Sequence, residues 1–245
     1  ITGYVEVSLN AHAGDCVELS HAEVLDKHGN FYTENYRAAK AKFLYFCKEG
    51  FQTWHPKLTF FGFRYIRVDH FPGGADAVRP DIFTAVVVCS DLQRTGFLSS
   101  SNPLLNKLFD NIIWGQKGNF VDVPTDCPQR NERMGWAGDT HIFCHTALNN
   151  SSLKKFYERN LQAMRDLQTP EGQYPEIAPV GGGFGGITYE CASIFMAWEL
   201  YGQYGDIRTL EKFYPGMQKY MDYMKDKGLP GTKVNPAIGP LGDWL

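Results

Sequence analysis

The stretch Val121–Asp139 reads VDVPTDCPQRNERMGWAGD and places three carboxylates, Asp126, Glu132 and Asp139, within fourteen residues. Arg130 and Arg133 stand among them, and Trp136 follows. These are the residue types that cleavage of a glycosidic bond requires. A proton donor must serve the leaving oxygen, an oxocarbenium-like centre must be stabilised, and the ring must be held. A carboxylic acid near other carboxylates is harder to ionise, which keeps its proton closer to working pH. An indole face covers the apolar side of a sugar, and an arginine can orient a carboxylate or bind a hydroxyl. The same residues would equally make a solvated turn in which Arg130 and Arg133 pair with the acids. Residue types alone leave both readings open.

The elements that must hold this loop are of two kinds. Before it, Ile1–Leu9 and Cys16–Leu19 alternate in polarity, while Phe43–Phe46, Phe63–Val68 and Ala85–Cys89 are apolar, aromatic or β-branched runs. The Lys27–Asn30 (KHGN) turn signal and Pro72–Gly74 punctuate them. Short strands with turns between them predict an antiparallel β-sandwich over 1–92. After a linker at 93–102, Asn102-Pro103 opens a helix with a capping residue followed by proline at the first helical position, and Leu104, Leu105, Leu108, Ile112 and Ile113 follow at helical spacing. Further helices are predicted over Asp139–Asn149, with Asp139 as a candidate N-cap, from Ser151 or Ser152 through Met164, from Ala192 to Tyr204, and from Thr209 to Lys227, where Pro215 is expected to kink the helix. Long segments at Asn119–Gly138, Thr169–Thr188 and Leu229–Leu245 are rich in glycine, proline, aromatics and carboxylates, which in connections of this length favours function.

Composition narrows the partners. A net charge of −3 with scattered basic residues gives no footprint for nucleic acid or an anionic membrane. No apolar run approaches the roughly eighteen residues of a membrane span. The six cysteines form no CxxC pair and no zinc-finger spacing with histidine; Cys127, His141, Cys144 and His145 make only a weak metal cluster, so neither metal nor cofactor is expected. Free thiols favour a reducing compartment, hence a cytoplasmic location over a periplasmic or secreted one. A homo-oligomer stays open.

The stretch Asn102–Asn149 resembles the bacterial α-L-rhamnosidases, an inverting glycoside hydrolase family with a PTDCPQRDERxGWxGD segment preceded by LLN and NxxW. Here stand Leu104-Leu105-Asn106, Asn111-Ile112-Ile113-Trp114 and the run Pro124–Asp139, with Asn131 where the family commonly has aspartate. His21–Leu25 and Phe61–Tyr65 are similar to the family's preceding β-domain, and Gly242-Asp243-Trp244 to a GDW segment. Tyr189–Trp198 is similar to a segment usually reading GWxDA, but Tyr189 replaces the tryptophan and Cys191 the aspartate. The resemblance implies a multidomain chain, an antiparallel β-sandwich followed at 103–245 by the first part of an (α/α)6 barrel. It implies Glu132 as general acid. It also implies Asp126, Arg130 and Trp136 in the sugar subsite, Asp139 in support, and Asp243 and Trp244 as substrate contacts. The substrate would be a terminal α-L-rhamnoside in a glycoside or polysaccharide.

The general base that inversion needs, across the ring at about 6.5–9.5 Å from the acid, is implied far downstream, beyond residue 245. The 245 residues are therefore expected to be a fragment, inactive alone. Two other readings are carried. One is a related α-barrel glycosidase for another sugar, kept open by Tyr189 and Cys191. The other is a non-catalytic carbohydrate-binding protein, against which the retention of Glu132 argues.

Overall fold

Val5, Val7, Leu9 and Ala11 are buried on one side of the first strand, β1 (Thr2–Ala11), while the residues between them are more open. That period of two is what a half-buried strand requires. The computed structural model describes residues 1–183 and 186–227. They form two compact units. The first comprises Ile1–Ser90, Trp114–Val121 and Cys127–Arg133; the second comprises Asp91–Ile113, Asp122–Asp126 and the residues from Met134 on.

Residues 1–90 of the first unit form nine strands. After β1 come β2 (Cys16–Ala22), β3 (Val24–Leu25), β4 (Phe31–Tyr32), β5 (Lys42–Phe46), β6 (Gly50–Trp54), β7 (Phe61–Gly62), β8 (Tyr65–His70) and β9 (Phe83–Val87). β1 pairs antiparallel with β6 and β7 along one edge and with β9 along the other. β2 pairs antiparallel with β5 and β8. The two sheets share one core, in which Val5, Val7, Val17, Leu19, Phe43, Phe61 and Phe63 meet. Each fully buried side chain of this kind contributes about 1.5–3 kcal/mol of burial free energy. The expected sandwich is thus present. The KHGN turn joins β3 to β4, with Val24 opposite Tyr32 and Leu25 opposite Phe31. The strand at Gly50–Trp54 was not foreseen, since it buries little; its register on β1 comes from backbone pairing.

The second unit carries the α-helices, except the end of the first from Trp114 on. In α1 (Pro103–Asn119) the Leu104 amide donates to Asn102 Oδ1 at 3.0 Å, the expected cap. Its apolar stripe does not become core throughout, for Ile113 is buried but Leu104 is 78% exposed. Next come α2 (Ala137–Asn150), α3 (Lys154–Asp166), the single turn α4 (Ile187–Glu190), α5 (Ala192–Tyr204) and α6 (Ile207–Asp226). α5 packs against α2, α3 and α6 through Ala192, Met196, Ala197 and Leu200.

Three helix ends differ from expectation. α2 begins earlier, so Trp136 occupies the N-cap and Asp139 lies inside the first turn, where its charge still suits the helix dipole. α3 begins after Leu153, with neither Ser151 nor Ser152 capping it. α6 starts at Ile207 because Asp206 caps it through the Arg208 amide at 3.1 Å, and it runs on through Pro215. α5 ends as expected at Gly205, whose φ of 63° is left-handed. The predicted loop at 229–245 lies outside the described residues.

Candidate active site

The loop Val121–Asp139 is shared between the units, and each unit fixes its own share. In the β unit, Gly62 of β7 lets the loop come down onto the sheet. A Cβ there would stand 2.9 Å from both the amide nitrogen and the Cα of Gln129. Only glycine allows this approach. The phenylalanines flanking Gly62 are core residues, which explains the Phe61-Gly62-Phe63 run. Arg133, at a φ of 58°, donates from Nη1 to the Phe60 carbonyl at 2.9 Å, and its guanidinium lies 4.7 Å from the centre of the Phe60 ring. Burial pulls the Arg133 pKa down from its ordinary value.

Glu132 is held between these anchors. Its side chain is 15% exposed, and its Oε2 accepts from Arg130 Nη1 in a close ion pair and from Arg37 Nη1 at 3.4 Å. Arg37 had no sequence signal for this role, standing 95 positions away. It follows a short 3-10 turn, Glu34–Tyr36, and takes φ 55°, ψ −121°, a conformation that favours glycine. Buried Tyr36 pins the turn by donating its hydroxyl to the Gly62 carbonyl at 2.7 Å. Gly62 therefore serves both the loop that carries Glu132 and the turn that carries Arg37.

In the helical unit, Asp126 and Met134 clasp each other. The Met134 amide donates to Asp126 Oδ1 at 2.7 Å and the Asp126 amide to the Met134 carbonyl at 2.9 Å. The chain then pairs with the segment before α4. The Ala137 amide donates to the Glu176 carbonyl at 2.8 Å and the Ala178 amide to the Gly135 carbonyl at 3.0 Å. Trp136 is buried with its ring edge-on to Tyr189, centroids 5.3 Å apart. Gly138 admits the Tyr189 ring, which a Cβ would meet at 2.6 Å. Tyr189, at the position where the family segment usually has tryptophan, thus packs on the tryptophan of the loop. Asp139 is exposed.

By their contacts, the predicted site residues are assigned to both units. Arg130 and Glu132 meet in the β unit; Asp126, Trp136 and Asp139 belong to the helical unit; Asp243 and Trp244 lie outside the described residues. Glu176 and Glu190 are engaged structurally. Glu176 Oε1 accepts from the Gly186 amide at 2.8 Å. Glu190 accepts from Gln173 at 2.6 Å and Tyr220 at 3.2 Å, and burial pushes its pKa up. In α2 the candidate metal ligands diverge. The Cys144 thiol is buried, which raises its pKa to about 12. His145 pairs with Glu199 at 2.7 Å, and His141 stacks on Phe195 at 4.1 Å.

Comparison with known proteins bears on the family and the fold. Residues 1–89 match the bacterial alpha-L-rhamnosidase concanavalin-like domain, and residues 93–245 match the bacterial alpha-L-rhamnosidase six-hairpin glycosidase domain. An alpha-L-rhamnosidase of Streptomyces avermitilis is 38% identical over the whole chain, which spans about a quarter (24%) of that relative. A crystal structure of a Streptomyces avermitilis alpha-L-rhamnosidase complexed with L-rhamnose superposes with a TM-score of 0.87, covering 93% of this chain and 22% of that one at 38% identity. The Dictyoglumus thermophilum enzyme gives 0.85 at 33% identity, covering 92% and 26%. With a β-sandwich followed by the first helices of a six-hairpin domain, this chain belongs to the bacterial alpha-L-rhamnosidase family.

Proposed function

We propose that the protein hydrolyses terminal α-L-rhamnosides by single displacement with inversion, with Glu132 as the general acid. The observation that carries this is the mounting of Glu132. Its carboxyl group is mostly buried, gripped at Oε2 by Arg130 and Arg37, and seated on the sheet through Gly62. An ordinary solvated turn has no need of a conformationally costly arginine from a distant loop. Glu132 would give its proton to the glycosidic oxygen while a water attacks the anomeric carbon from the opposite face. Arg130 and Arg37 would set the plane of the carboxyl group. Asp126, Arg130 and Trp136 would line the rhamnose subsite with Asp139 in support, and Asp243 and Trp244 would touch the same sugar. The general base is assigned to neither Glu176 nor Glu190, whose carboxylates are committed to holding the chain. The substrate would be a rhamnose-bearing glycoside or polysaccharide.

Tyr189 favours a second reading, a related glycosidase for another sugar, because it changes the ring that packs on Trp136. The experiment that separates the two uses the protein at its natural length, a panel of aryl glycosides, and proton NMR to follow the product anomer. Release from α-L-rhamnoside with inversion is expected. Release from a different sugar only would establish the second reading, and a retained anomer would remove the mechanism.

A further inference from the structure

A pocket of about 470 Å³ lies along one face of α3, wholly within the helical unit. None of Asp126, Arg130, Glu132, Trp136 and Asp139 lines it, and the chemistry derived above makes no use of it. Phe156 and Ala163 are two helical turns apart on α3 and so share a face of the helix. Val123 and Pro179 join them, which gives the pocket an apolar lining. The polar groups around it are held in pairs. Arg159 donates from Nη1 to the Asp122 carbonyl at 2.8 Å, and from Nη1 and Nη2 to the Asp122 carboxylate at 2.5 and 2.9 Å. Asp122 takes a φ of 68° in this clasp. A guanidinium has more N–H donors than these contacts use, so Arg159 keeps some for a ligand. Gln162 donates from Nε2 to Asp166 Oδ1 at 2.7 Å. That bond fixes the Gln162 amide and leaves its carbonyl oxygen and second N–H with no partner among the described residues.

The charges lining the pocket cancel. Lys155, Arg159 and Lys212 are balanced by Asp122, Glu158 and Asp166. Such a lining offers little net field to an ion, but it sets oriented donors and acceptors beside apolar surface. A sugar ring matches that combination. It is uncharged, it carries hydroxyl donors and acceptors around its edge, and its faces present C–H groups to an apolar wall. A fatty chain would instead leave the Arg159 and Gln162 groups buried without partners. We infer that this pocket is a second carbohydrate site, which takes an uncharged pyranose unit of the polysaccharide that bears the rhamnose. The chain connects it to the acid loop. Asp122 and Val123 open that loop, and Pro179 follows Ala178, whose amide donates to the Gly135 carbonyl at 3.0 Å. A main-chain sugar held here keeps the polymer on the enzyme between cleavages and raises the effective concentration of its side groups. The inference takes its substrate class from the proposed function, but binding in the pocket needs no turnover.

The test uses the protein at its natural length and three oligosaccharides that hold no rhamnosyl bond: cellotetraose, galactotetraose and tetragalacturonate. Each is titrated to millimolar concentration and followed by saturation-transfer NMR. Binding of at least one of the two neutral oligosaccharides is expected. Ala163→Trp, which fills the pocket, should weaken that binding at least tenfold. Arg159→Ala, at a half-exposed ion pair whose loss leaves the fold intact, should weaken it at least threefold. If Ala163→Trp does not fold, Arg159→Ala decides. Absence of binding by both neutral oligosaccharides overturns the inference, as does binding that the folded variants leave within twofold of the wild type. Binding of tetragalacturonate alone overturns the uncharged class. No arm of the test involves rhamnoside cleavage, so failure of the acid role of Glu132 would leave each of these outcomes readable.

Discussion

Glu132 is the residue on which the functional reading turns. General acid catalysis contributes about 10²–10⁴-fold, and the contribution grows as the leaving group becomes poorer. Glu132→Gln keeps the shape and loses the proton. It is expected to cost at least ~100-fold in kcat on an unactivated rhamnoside and markedly less on an activated aryl rhamnoside. Equal losses on both substrates would mean that Glu132 positions the sugar rather than protonating it. Arg130 was legible as part of the site because it sits two residues away on the same loop. Arg37 was not, because nothing in its local sequence announces a contact 95 positions distant.

At the scale of elements, glycines decide how the loop is seated. Gly62→Ala would drive a methyl group into Gln129, and the loop bearing Glu132 would have to lift. Displacement of a reacting group by about 1 Å can cost roughly 10²-fold, so kcat/KM should fall by about that factor while the β unit stays folded by circular dichroism. Gly135→Ala is expected to be more damaging to the fold itself. Its Cβ would stand 2.0 Å from the Ala178 carbonyl oxygen, a backbone atom that cannot swing aside. A loss of about 2–4 kcal/mol in urea denaturation is expected. By contrast, Arg159, which donates to Asp122 at 2.5 and 2.9 Å at the start of the loop, is largely exposed. Arg159→Ala should cost less than about 1 kcal/mol.

For the molecule as a whole, one buried histidine makes stability depend on pH. His21 has no exposed surface and lies between Phe43, Phe61 and Phe63, stacked on Phe61 at 4.1 Å. Burial lowers its pKa from 6.5 to about 4, so the folded β unit holds it neutral. A depressed histidine pKa means that the unfolded chain takes up the proton first. The stabilisation is complete above pH 6.5 and is lost progressively as pH falls towards 4, about 3 kcal/mol in all. Denaturation of the wild type and of His21→Phe across this window should show the pH slope shrinking in the variant. An unchanged slope would mean that His21 is not the group responsible.

What the amino-acid sequence determined by itself is what near neighbours along the chain can encode. The alternation in Thr2–Ala11, the KHGN turn between β3 and β4, the Asn102 cap before Pro103 and the Gly205 stop all follow from backbone sterics and burial period within a few residues. The residue types of the acid loop were legible for the same reason. The tertiary structure alone decided the rest. It put Arg37 on Glu132, set the Glu176 carbonyl to hold Ala137, and moved the start of α2 so that Asp139 lies within its first turn. Such pairings depend on which distant elements come into register and pack, and free energy of that kind belongs to contacts through space rather than to any local pattern of residues.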